Sequence, residues 1–216
     1  MPLPLRVALV DDHQMFREGI RDRLQQEPDI TVVGEASSAD EAMAVIEATS
    51  PTVVILDIRL AGASGIELAR RFRQQWPELR ILILSGYDFD QYVRAAARVG
   101  IDGYLLKDAP RDTLVEALRE IAMGGAVLPP TIASKVMRTY AASSSGRDDR
   151  TPGDLTLREI DSLELMHQGL RNQEIARRLA ISTRTVESHV SAVLAKLGAE
   201  TRTQAVRVGV EKYLIK

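Results

Sequence analysis

Cysteine is absent from all 216 residues, so no disulfide framework can staple this chain. Histidine is nearly so: His13, His167 and His189 stand far apart, and no His cluster suggests a metal site. Long apolar runs are missing as well. Runs such as residues 53–56 fall far below the roughly 20 residues that a spanning helix requires, so no membrane insertion is expected. No basic and apolar leader stands before Val7, and a cytoplasmic address is the expectation. Charge imbalance is also slight, with a net charge of −2 that by itself hardly suggests a nucleic-acid partner.

What is present is the composition of a globular protein, 45% apolar and 27% charged, with a length that suits two small domains. Charge divides along the chain. Residues 1–124 carry 14 basic and 20 acidic side chains, residues 125–150 carry 4 and 2, and residues 151–216 carry 10 and 8. Between Arg171 and Arg207 there are 7 basic and 3 acidic residues, a local excess compatible with a phosphate-backbone footprint. The piece from 125 to 150, with Pro129-Pro130 and the run Ser143-Ser144-Ser145-Gly146, has the composition of a linker. Its middle, 132–140, could form a short helix.

Before the linker, short apolar runs alternate with helix-period stretches. Residues 6–10, 31–34, 53–56, 80–84 and 103–106 read as strands. Residues 15–24, 39–48, 66–75, 91–99 and 114–123 carry apolar residues at three- and four-residue spacing. That alternation predicts an α/β domain with a parallel sheet, and strands without polar alternation predict helices on both faces. Ligands of such sheets bind beyond the carboxyl ends of the strands, where strand order reverses.

Asp11 and Asp12 follow the first strand, Asp57 ends the third, Ser85 ends the fourth and Lys107 follows the fifth, all at that edge. Three carboxylates together repel one another unless a cation neutralises them, and hard oxygen donors suit Mg²⁺. The bland alternative makes Asp11 and Asp12 mere caps of the helix that begins near His13.

After the linker, helices are predicted from about 157 to 168, 172 to 179, 183 to 197 and 201 to 213. A tight turn at 180–182 separates the second from the third, and Gly169 and Gly198 act as stops. Asn172 is expected to cap the second helix, and Ser182 or Thr183 the third. On the third helix Val186, Val190, Val193 and Leu197 form one stripe. Arg184, Ser188, Ser191, Ala192 and Ala195 lie opposite, a slim face suited to the major groove.

These features together resemble two-component response regulators of the LuxR-type (NarL/FixJ-like) family. The resemblance implies a receiver domain over residues 1–124, a linker over 125–150 and a helix-turn-helix domain over 151–216. It implies a flavodoxin-like five-stranded sheet of order 2-1-3-4-5 and a second, smaller all-α domain of four helices. Carried over to this sequence, Asp57 resembles the phosphoacceptor, and Asp11, Asp12, Asp57 and the backbone carbonyl of Arg59 resemble the Mg²⁺ ligands. Lys107 resembles the phosphoryl-pairing cation, and Ser85 and Tyr104 the switch pair. The implied DNA contacts are Arg171, Asn172, Thr183, Arg184, Thr185, Glu187, Ser188, His189, Ser191 and Lys196. The implied partners are a sensor histidine kinase, operator half-sites and, on activation, a second copy of the chain.

Departures and alternatives accompany this. Ala61 replaces a common proline, Ser64-Gly65 replaces a common Asp-Gly, and the bulky Arg59 and Tyr87 could shield an acyl phosphate from water. Glu187 stands where lysine is frequent and could accept from cytosine N4. Tyr104 could be plain core, His189 a packing residue, and the arginines a solvated surface. The last helix, with Val206, Val210 and Leu214 on one side, could serve core packing, dimerisation or both. A receiver controlled by ligand or partner without phosphate is the alternative. A phosphohydrolase is opposed by Arg59, which occupies the place of such enzymes' second aspartate, and the chain is not expected to be an enzyme.

Overall fold

The computed structural model describes residues 4–60, 63–86, 89–143, 155–212 and 214–215, the side chains of 90, 111 and 138–143 set aside. The expectations for Ala61, Tyr87, Tyr213 and the segment 144–150 lie outside the described residues. The chain divides into two compact units, chiefly between Val136 and Met137.

The first unit runs β1 (Leu5–Val10), α1 (Gln14–Leu24), β2 (Ile30–Ala36), α2 (Ala39–Thr49), β3 (Val53–Leu56), β4 (Arg59–Leu60), β5 (Ala63–Ser64), α3 (Gly65–Gln75), β6 (Arg80–Ser85), α4 (Asp90–Val99), β7 (Gly103–Leu106) and α5 (Arg111–Ala122). Five parallel strands form one sheet in the order β2-β1-β3-β6-β7, which is the 2-1-3-4-5 order expected once β4 and β5 are set apart. Those two form a small antiparallel hairpin with Arg59 opposite Ser64. Strands of two residues carry no readable periodicity, so no pattern along the chain announced them.

Successive strand residues point to opposite faces, and here both are covered. On one face Val7, Leu9, Val53, Ile55, Leu82, Leu84 and Leu105 pack with Leu24 of α1 and with Leu114, Leu118 and Ile121 of α5. Ala8, Val10, Val54, Leu56, Ile81 and Ile83 alternate with them and are buried too, as are Ala42 and Ile46 of α2 and Ile66, Ala69 and Phe72 of α3. Each fully buried aliphatic or aromatic side chain contributes about 1.5–3 kcal/mol, so this two-sided burial is the main force holding the strand ends in line.

The edge strand β7 is joined by a residue expected in the linker. Tyr104 N–H donates to the Val127 carbonyl at 2.9 Å, and Val127 N–H donates to Asp102 O at 3.0 Å. Helix α6 (Pro130–Ser143) starts two residues before the expected 132 and ends three after the expected 140. Proline at its first position explains the start, because its ring presets φ and the missing N–H would be unpaired there anyway.

The second unit holds α7 (Leu157–His167), α8 (Asn172–Leu179), α9 (Thr183–Leu197) and α10 (Arg202–Glu211). The hydroxyl of Thr156 accepts from Glu159 N–H at 3.3 Å while the Glu159 carboxylate takes Thr156 N–H at 2.6 Å, closing a capping box. Ser182 caps α9 by accepting from Thr185 N–H at 3.1 Å. Asn172, however, is the first helical residue of α8 and not its cap. Its side-chain oxygen instead accepts from Arg202 Nη1 at 3.3 Å, and Glu174 takes the Arg171 N–H at 2.6 Å. Helix α10 is seated through Ala205 and Gly209, and a Cβ on Gly209 would lie 2.9 Å from Leu163 Cδ2. The side bearing Val206, Val210 and Leu214, for which core packing and dimerisation were both open, is therefore not the buried face, and Val210 is 41% exposed.

Candidate functional site

Strand order reverses between β1 and β3, and the acidic residues sit there because register puts them there. Val10 pairs with Leu56, and Asp57 N–H donates to the Val10 carbonyl at 2.9 Å, so Asp11 and Asp57 leave their strands at one level. Ser85 closes β6, and its carbonyl accepts from Lys107 N–H at 2.8 Å just beyond β7. Strands β3 and β7 are two steps apart, about 10 Å, which only a long side chain can bridge. Lys107 bridges it: its Nζ lies 2.6 Å from Asp57 Oδ2 and 2.7 Å from Asp11 Oδ2.

Asp11 and Asp57 are 6% and 5% exposed. Burial raises the Asp57 carboxyl from 3.8 to about 6; the Lys107 charge opposes that rise and the Asp11 charge adds to it. Burial would lower the Lys107 ammonium, but the Asp57 charge and hydrogen bonds to both carboxylates leave it raised overall. Backbone donors complete the fit. Arg59 N–H reaches Asp57 Oδ1 at 3.3 Å, and His13 N–H reaches Asp11 Oδ1 at 2.8 Å. The other side of the ammonium faces the Phe16 ring, with Nζ 4.5 Å from its centroid. Arg17 Nη1 donates to the Asp11 carbonyl at 2.6 Å while its Nε is held by Glu35 at 3.0 Å.

The N-terminus of α3 presses against this site. A Cβ added to Gly65 would stand 1.9 Å from the Asp57 carbonyl oxygen, so only glycine allows the helix to start where it does. Ser85 and Tyr104 are both fully buried, on adjacent strands where Ile83 pairs with Tyr104 and Ser85 with Leu106.

One ligand atom from each of Asp11, Asp12, His13 and Asp57 lies within 4.8 Å of every other. Carboxylates converging in this way fit a hard divalent cation. The His13 side chain is the addition that sequence reasoning missed; its Nδ1 is 3.0 Å from Asp12 Oδ1 and 3.4 Å from Asp11 Oδ1.

In the second unit, Ile175, Ala176 and Leu179 of α8 and Val186, Val193 and Leu197 of α9 are buried, and the chain turns between the helices at Ala180. Arg184, Thr185, Glu187, Ser188 and Ser191 are exposed on α9, as is Arg171 before α8. Thr183 and His189 are half-buried. The Thr185 hydroxyl lies 2.8 Å from that of Ser182. Two expected contacts have partners within the fold: Asn172 is bonded to Arg202, and Lys196 Nζ lies 2.7 and 3.0 Å from the two oxygens of buried Glu159. Arg177 and Arg178, exposed on α8, are cations that the expected contact set did not include.

A response regulator receiver domain matches residues 7–119, and the DNA-binding family described as bacterial regulatory proteins of the luxR family matches residues 154–209. The chain belongs to the two-component response regulators with a LuxR-type output domain. The regulator is 39% identical over 201 residues to the DNA-binding transcriptional activator DevR/DosR of Mycobacterium tuberculosis, covering 93% of this chain and 92% of that one. It is 36% identical over 202 residues to the nitrate/nitrite response regulator NarL of Escherichia coli, covering 94% and 93%. The crystal structure of the response regulator ChrA of a heme-sensing two-component system aligns with a TM-score of 0.54 at 35% identity, over 98% of this chain and 99% of that one. RcsB from Salmonella enterica, solved on a promoter with a beryllofluoride phosphomimetic, aligns with a TM-score of 0.61 at 25% identity over 95% and 98%.

The regulator is a DNA-binding transcription regulator with a receiver and a helix-turn-helix unit. Among its described residues no helix is long and apolar enough to cross a membrane. Phe16 and Arg17 escaped the sequence reading because their partners, Lys107 and Glu35, lie far along the chain, whereas His13 stands beside Asp11 and Asp12 and only the fold turns its ring towards them.

Proposed function

We propose that Asp57 of this regulator accepts a phosphoryl group from a sensor histidine kinase and that the modified receiver promotes dimerisation and operator binding. The observation that carries this is the ammonium of Lys107, held 2.6 Å from one carboxylate and 2.7 Å from another at the switch point of the sheet. Even without metal, where burial raises its pKa to about 6, Asp57 is ionised at neutral pH, the form that attacks phosphorus. An Asp57 oxygen forms the new bond to phosphorus as the bond from phosphorus to the kinase histidine nitrogen breaks, its electron pair staying on that nitrogen. Asp11, Asp12, Asp57 and the carbonyl of Arg59 would hold Mg²⁺, which when bound offsets the charge that develops on the phosphoryl oxygens. Lys107 then exchanges a carboxylate partner for a phosphoryl oxygen.

The buried hydroxyl of Ser85 gains a strong acceptor once Asp57 carries about −1.5 to −2 of charge, and Tyr104 fills the space that it leaves. Such a switch shifts an equilibrium only by the difference in contact energy between its two states. On the output unit, Arg184, Ser188 and Ser191 meet the major groove, Arg171, Thr183 and His189 meet phosphates, and Thr185 and Glu187 read base edges. Lys196 and Asn172 shape that face through Glu159 and Arg202. Exposed Val210 on α10 supplies part of the dimer contact.

Selection of DNA sites from a random pool, with and without a small phosphodonor, tests this for wild type and Asp57→Asn. Enrichment that rises with donor for wild type alone supports it. Equal enrichment for both proteins, donor present, overturns the phosphoryl switch and leaves a phosphate-independent receiver.

A further inference from the structure

Resting on the reading of the acidic cluster as a divalent-cation site, we propose that His13 is a further ligand there. Its nitrogen gives the site a preference for first-row transition ions over Mg²⁺. Nδ1 of His13 is 3.0 Å from Asp12 Oδ1, and two ligands at right angles around an ion at about 2.1 Å are about 3.0 Å apart. The cluster is thus already spaced as neighbouring donors of one ion would be. Asp11 and Asp57 complete a four-residue set whose donor atoms all lie within 4.8 Å of one another.

The local backbone explains why the ring is there. His13 is the residue before α1, in extended conformation at φ −87° and ψ 97°, and its side chain makes no capping hydrogen bond. Its own N–H is tied to Asp11 Oδ1 at 2.8 Å, which fixes the start of the side chain against the carboxylates. With 53% of its side chain exposed, the ring is open to an ion arriving from solvent.

Donor chemistry sets the consequence. Oxygen ligands suit Mg²⁺, which keeps much of its water, whereas an imidazole nitrogen favours ions such as Co²⁺, Ni²⁺ and Zn²⁺. A carboxylate cluster alone would bind both classes through the same atoms. The nitrogen adds a bond that counts mainly for the second.

The test is calorimetric titration of the full-length protein at pH 7.5 with Mg²⁺ and, separately, with Co²⁺, for wild type, His13→Leu and His13→Gln. The visible spectrum of the Co²⁺ complex is recorded alongside. The expected result is a loss of about tenfold or more in Co²⁺ affinity for both variants, less than about a twofold change for Mg²⁺, and a shifted Co²⁺ absorption band. Equal weakening of both ions would mean that the imidazole only steadies Asp12, and the proposal would fall. Unchanged Co²⁺ affinity or an unshifted band would overturn it as well. Failure of wild type to bind either ion is a separate outcome, one that removes the cation site itself. Far-UV circular dichroism of the exposed-site variants confirms folding before titration.

Discussion

Replacing Asp57 by asparagine should make the metal-free receiver more stable, because the carboxylate is held where its charge is unwelcome. Burial lifts its pKa from 3.8 to about 6. A folded pKa above the unfolded one favours folding only while the group is protonated, so that stability is complete below pH 3.8 and is lost as pH rises through about 6. Since a tenfold change in acidity is worth about 1.36 kcal/mol, the ionised carboxylate costs the fold roughly 3 kcal/mol above pH 7 and roughly 1.5 kcal/mol near pH 5. Asparagine keeps an acceptor for Lys107 and does not titrate. The stability gained by Asp57→Asn should therefore be larger at pH 7.5 than at pH 5, by about 1.5 kcal/mol. Trp76 makes the assay specific, since it is the only tryptophan, closes α3 of the receiver and packs 5.9 Å from the buried Phe72 ring. Urea unfolding in EDTA, followed by Trp76 fluorescence at the two pH values, isolates this domain. A variant no more stabilised at pH 7.5 than at pH 5 would refute the assigned cost of burying Asp57.

Gly65→Ala should abolish phosphoryl acceptance while retaining helical and sheet signals, because its methyl would meet the Asp57 carbonyl 1.9 Å away; normal labelling from a small phosphodonor would contradict this. Arg171→Ala should reduce the slope of log affinity against log salt by about 1, as expected for a lost phosphate contact, whereas Lys196→Met should lower the output domain's melting temperature with no change of slope for the folded fraction. Fluorescence anisotropy on operator DNA across a salt series separates the two. Ala180→Gly should stabilise the output domain by about 0.5–1 kcal/mol, since Ala180 sits at φ 51° where a Cβ is strained, and thermal unfolding reads it directly.

Sequence went furthest where periodicity is strong. The five sheet strands, the α/β class and the helix-turn-helix boundaries at 172, 179, 183 and 197 were all legible, since apolar spacing encodes which side of an element must be buried. It failed where a polar side chain had a choice of partner. Asn172 has the chemistry of a cap, but Arg202, 30 residues away, takes its oxygen. Lys196 has the charge of a phosphate contact, and the sequence did not show that its ammonium also lies 2.7 Å from Glu159 across two helices. For the stripe Val206, Val210 and Leu214 the sequence left core packing and dimerisation both open, and the fold decides the buried face of α10 through Gly209, which permits close approach to Leu163.

The order of residues by itself determined which strands form and that Asp11, Asp57, Ser85 and Lys107 stand at their carboxyl ends. Backbone alternation and apolar burial act over a few residues and are written locally. Only the folded sheet decided that β1 and β3 lie side by side, that Lys107 spans two strands to reach both carboxylates, and that Asp57 is buried enough to titrate at about 6. Charge, reach and desolvation depend on distances through space, and those exist only once strands far apart in the chain have been brought together.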